Sequence, residues 1–110
     1  MQPLTIELIE KEMAGDAISP GQLSNYRVYL AARSSMNTAE IARILDVKPK
    51  AWLAIRESKK SDRAADHEWE ATTLGMRETQ LNMLNKRIEV LSRALSAKLR
   101  VMELEAKNLV

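Results

Sequence analysis

The sequence contains no cysteine, a single histidine, and only three glycines and three prolines in 110 residues. Each shortage closes a route to function. Without cysteine there is no disulfide, no thiolate zinc site and no thiol nucleophile, a composition that fits a cytoplasmic protein, in the host cytoplasm if the chain is viral. One histidine, His67, cannot supply a credible Ser-His-Asp set. A helix would bring His67 and Glu70 onto one face, but a metal site needs three or four ligands. The Glu-x-x-His order of di-metal bundles is also reversed here. No glycine-rich loop is available to cradle a phosphate. No apolar run approaches the length of a membrane span, and the N-terminus carries no signal-peptide pattern. The expectation is a chain without catalytic activity, cofactor, metal or membrane partner.

Scarce glycine and proline, with little strand-like alternation, predict an all-α fold, and the length allows one domain plus an extension. The formal net charge is only +2, but it is unevenly placed. Residues 1–26 hold one Lys against four acids, net −3; residues 27–60 hold eight Lys and Arg against three acids, net +5; residues 61–110 hold eight of each. The positive charge therefore sits in the middle of the chain, as expected of a segment that meets a polyanion.

That middle segment contains Thr38 to Glu57, TAEIARILDVKPKAWLAIRE. Its apolar residues Ile41, Leu45, Val47, Trp52 and Ile55, with small Ala42, follow the spacing of a helix-turn-helix, in which two steeply crossing helices touch at few points. Asn37 and Glu40 would form a capping box, Leu45–Lys48 the turn, and Pro49 the first turn of the second helix. Asp46 stands where Gly is usual. Ahead of this motif, Pro3 to Ala14 predicts a short helix with an acidic face and Gly15 as its stop. Ser19, Pro20 and Gln22 open another helix, running to about Arg33 with Leu23, Tyr26 and Leu30 inward. Ser34–Asn37 reads as a loop. The fold expected for residues 1–60 is a three-helix head bearing the helix-turn-helix, with Trp52 on an inward position. Arg43, Lys48, Lys50, Arg56, Lys59 and Lys60 are its candidate contacts to double-stranded DNA. Lysines suit phosphates better than base edges, so the binding expected is salt-sensitive and weakly sequence-selective.

Residues 57–62 form a polar break, with Ser61 or Asp62 as a new cap. Residues 61–110 then predict an oligomerising stalk, either one long helix or a helical hairpin broken near Thr72–Gly75. Leu81, Leu84, Ile88, Leu91 and Leu95 keep the alternating steps of a heptad seam, and Leu99 and Met102 continue it with a stutter. Met83, Val90, Ala94, Ala97, Val101 and Leu104 form a second stripe, roughly 200° round the helix by the first pair. One helix cannot bury two stripes against one mate, so a homo-oligomeric bundle or ring is expected.

A helix-turn-helix of sequence TAEIARILDVKPKAWLAIRE followed by an oligomerising helical segment from Asp62 onward resembles the small terminase subunits of tailed bacteriophages. The resemblance is one of layout and covers most of the chain. It implies a ring of many subunits that binds viral genomic DNA when packaging begins and regulates a large ATPase–nuclease subunit, with Lys48, Lys50, Arg56, Lys59 and Lys60 displayed as DNA contacts. The alternative expectation is a dimeric helix-turn-helix transcription regulator with a coiled-coil dimeriser, and a further one is a purely structural helical adaptor.

Overall fold

The computed structural model describes residues 3–15 and 18–108, and among these every regular element is a helix. The first, α1 (Ile6–Met13), starts where Thr5 is extended and its Oγ1 accepts a hydrogen bond from the Leu8 N–H at 3.0 Å. The second, α2 (Pro20–Glu57), opens on a reciprocal capping box. The Gln22 N–H donates to Ser19 Oγ at 3.2 Å, and the Ser19 N–H donates to Gln22 Oε1 at 2.9 Å. The third, α3 (Asp62–Ala71), is capped by Ser61, whose Oγ accepts from the Ala64 N–H. The fourth is α4 (Thr73–Asn108).

The helix-turn-helix expected at Thr38–Glu57 is not formed, because α2 passes through it without a break. Leu45–Lys48, expected as its turn, and Ser34–Asn37, expected as a loop, are all helical. Two physical facts explain this. No described residue adopts positive φ, and Asp46 carries no signal strong enough to impose it. The inward-facing residues also keep helical period through both supposed breaks: Leu30, Asn37 and Ile44 are buried at intervals of seven, with Ile41 between. Pro49 therefore lies in a helix interior, where it removes the bond to the Leu45 carbonyl. On either side of it, Lys48 and Trp52 bond to Glu78 on α4 and Asp66 on α3. Asn37 caps nothing, and Glu40 pairs with Arg77 rather than with a helix start.

The chain divides into two compact units, one of Met1–Ser34 with Lys86–Val110 and one of Ser35–Asn85. Both α2 and α4 contribute to each unit. The border expected at residue 60 falls inside the second unit.

The core of the first unit comprises Ile6, Ile9, Ile18, Leu23, Tyr26 and Leu30 together with Ile88, Leu91 and Leu95. Each such aliphatic side chain removed from water contributes about 1.5–3 kcal/mol before conformational entropy is set against it. The acidic face of α1 is answered from α4. Arg87 reaches Glu7 and Glu10, and Lys98 donates to the Gly15 carbonyl.

The second unit is organised around Ile44, Trp69 and Leu81, with Ile41, Ala51, Trp52 and Ile55 packed against them. The reversal from α3 to α4 is made by Thr72 alone. Its backbone is extended at ψ 160, its Oγ1 donates to the Trp69 carbonyl at 2.6 Å, and the same oxygen accepts from the Gly75 N–H at 3.0 Å. One side chain thus closes one helix and caps the next. Gly75 is buried in this reversal for want of space: a Cβ there would lie 1.8 Å from the Trp69 carbonyl oxygen. Because the obstacle is backbone, Gly75→Ala must push α3 and α4 apart. The variant is expected to lose at least about 2 kcal/mol of stability in urea unfolding, whereas an exposed helical glycine would gain from the same change.

Candidate interaction surface

The six cations expected to meet DNA divide into two groups. Lys48, Arg56 and Lys59 are engaged within the second unit. Lys48 Nζ lies 3.2 Å from Glu78 Oε1 and 5.5 Å from the centroid of the Trp69 ring. Glu78 is only 14% exposed, and the same Oε1 accepts from Trp69 Nε1 at 3.0 Å. One carboxylate thus links α2, α3 and α4 through a cation and an indole N–H, both of which it satisfies. Arg56 donates from Nε to Asp62 and from Nη1 to the Lys59 carbonyl, each at 2.7 Å, joining the end of α2 to the start of α3. Lys59 lies 3.7 Å from Glu68. Arg43, Lys50 and Lys60 are exposed and make no ion pair among the described residues. Trp52 faces inward as expected, half-buried, and donates from Nε1 to Asp66 Oδ1 at 2.8 Å.

The seam expected to face a neighbouring subunit is corrected in part. Leu81, Ile88, Leu91 and Leu95 are buried within the chain itself, Leu81 beside Ile44 and Trp69 and the other three in the core of the first unit. Leu84, Leu99 and Met102 are half-buried. The tail has a mate in its own chain for this stripe. The second stripe has none among the described residues: Met83, Val90, Val101 and Leu104 are 62%, 65%, 54% and 55% exposed. On α2, Val28 is 72%, Met36 61% and Leu53 59% exposed.

The remaining polar groups are accounted for locally. His67 Nδ1 and Glu70 Oε2 stand 4.0 Å apart on one face of α3, both exposed. No group of three or more metal-ligating side chains occurs among the described residues. The hydrogen bond from Arg87 to Glu10 raises the guanidinium pKa above its ordinary value. Partial desolvation opposes the rise, and the charges of Glu10 and Glu7 add to it. Arg87 therefore stays charged at any ordinary pH. Among the described residues, open hollows lie along Glu89, Arg93, Ser96 and Arg100, of about 410 Å³, and along Ser24, Arg27, Val28 and Ala31, of about 400 Å³. Each is walled by one helix alone, so each is a helix flank open to solvent and encloses no ligand.

Periodicity could not separate Lys48 from Lys50, since both lie in the basic stretch; their fates differ because Glu78 waits thirty residues further on. Replacing each by alanine exposes the difference. Lys48→Ala removes the ion pair and the cation–π contact and should cost about 1 kcal/mol in chemical denaturation, while Lys50→Ala should stay within about 0.5 kcal/mol of the parent. Compared with known proteins, the chain matches no family model, no curated protein and no solved structure.

Proposed function

We propose that this chain is a non-catalytic helical assembly subunit, which acts by docking the outward faces of its two long helices against other chains, copies of itself included. One observation carries this reading. Large apolar side chains stand in water at helical spacing on α4, where Met83, Val90, Val101 and Leu104 are exposed by 62%, 65%, 54% and 55%, and on α2 Val28 and Met36 are exposed by 72% and 61%. Scattered apolar residues are ordinary on a surface, but aligned ones mark faces that another molecule covers. The hollows along α2 and α4, each with a single wall, are helix flanks open to a partner. In native mass spectrometry at micromolar concentration, species larger than the monomer are expected. Val28→Glu together with Met36→Glu, both on exposed positions of α2, should shift them toward monomer without lowering helix content. A chain that stays monomeric across that range would rule out self-association.

A second reading, the DNA-contacting and genome-packaging role implied by the terminase resemblance, is favoured by Arg43 and Lys50 on α2 and Lys60 beyond its end, which are exposed and make no ion pair among the described residues. Without a helix-turn-helix, such contacts would be made to phosphates along a helix side and would read no sequence. Retention of a DNA duplex should then weaken steeply with salt, and Arg43→Glu with Lys50→Glu should cut affinity at least about tenfold and flatten the salt dependence. Unchanged retention in that variant removes this second reading.

A further inference from the structure

The outward side of α4 in the first unit carries a regular line. Val90, Ala94, Ala97, Val101 and Leu104 recur at alternating steps of four and three, the spacing of a coiled-coil seam. All five are exposed, while Ile88, Leu91 and Leu95 on the other side of the same helix are buried. The line is therefore additional to the core. Its two alanines leave room for another backbone to come close.

Beside the line runs a column of one charge: Lys86, Arg93, Arg100 and Lys107, each seven residues from the last. Seven residues is two helical turns, so the four cations stack along one flank. Arg93 pairs with Glu89 on its own helix, and both are exposed. Lys86, Arg100 and Lys107 make no ion pair among the described residues.

We propose that this seam is a docking surface for an acidic amphipathic helix of another protein; the proposal rests on reading the chain as an assembly subunit. Charge selects the occupant. A second α4 laid antiparallel would set one basic column against the other. A second α4 laid parallel would have to pair that column with the flank where Leu91 is already buried in its own unit. Within this chain the acids Glu7, Glu10, Asp62 and Glu68 already hold Arg87, Arg56 and Lys59. Duplex DNA would meet the cations but leave the apolar line in water. A bilayer surface favours aromatic anchors beside basic residues, and residues 73–108 contain no aromatic. An incoming helix with apolar residues on one stripe and Glu or Asp along its flank satisfies both features at once.

The test uses the full chain and two synthetic helical peptides of about four heptads, identical in their apolar stripe, one flanked by Glu and one by Lys. Fluorescence anisotropy should show saturable binding of the Glu peptide, with the Lys peptide at least tenfold weaker. Arg93→Glu with Arg100→Glu should reverse that preference, and Val101→Asp should abolish binding. Both variants change exposed positions, and an unchanged thermal melt certifies their fold. The proposal is overturned if neither peptide saturates, if the two bind alike, or if Val101→Asp has no effect. It is equally overturned if a DNA duplex or phosphatidylglycerol vesicles bind with the same dependence on Val101. Intact oligomers that ignore the Glu peptide defeat this inference alone. A monomer that binds it defeats self-association and leaves the docking surface standing.

Discussion

A helix with apolar residues on two sides sets the terms for the whole chain, because one polypeptide of this size can cover only one of them. The buried side of α4, with Leu81, Ile88, Leu91 and Leu95, supplies a share of both cores. Burying them is the main favourable term available to a chain without disulfides. Once that side is committed, Val90, Val101 and Leu104 are left uncovered among the described residues. Their exposure is thus a consequence of where the core lies, and the functional reading follows from it.

Charge is used in two different ways along the same chain. Near the cores it joins elements. Glu78 receives Lys48 and Trp69, Glu40 receives Arg77, and Glu10 receives Arg87, each pair drawing together residues at least nine positions apart in sequence. Half-buried partners of this kind are hydrogen-bonded as well as charged, which is why they hold position better than pairs in open water. On the outward faces, Arg43 and Lys50 of α2 and Lys86, Arg100 and Lys107 of α4 make no ion pair among the described residues. The +5 of residues 27–60 therefore overstates the charge available for binding, since three of its cations are already consumed.

What could be read from the chain was whatever depended on near neighbours. The capping box at Ser19–Gln22, the cap at Ser61, the break before Gly75 and the inward Trp52 all rest on contacts within a few residues or on a simple period, and the structure has them. The helix-turn-helix failed because its tokens, Asp46 and Pro49, are local and weak, while the continuity of α2 is decided by inward residues that find partners on α3 and α4. The α4 stripes were legible as apolar lines. Which one would turn inward was not, since that choice belongs to residues such as Ile9 and Leu23, distant in sequence. Gly75 was legible as a weak point in a helix, but its reason, the nearness of the Trp69 carbonyl, exists only once the chain has reversed.

Among the apolar contacts of the second unit sits one buried amide, Asn37, which donates to Asn85 Oδ1 at 3.1 Å, while Asn85 donates to Thr38 Oγ1 at 3.4 Å. Greasy surfaces tolerate sliding, because isoleucine meets leucine nearly as well one notch along. An amide does not: moving α4 along α2 by a single turn, about 5.4 Å, would strand the Asn37 side chain away from water with no acceptor. The pair acts as a peg in a slot, admitting one alignment of the two long helices and rejecting its near duplicates.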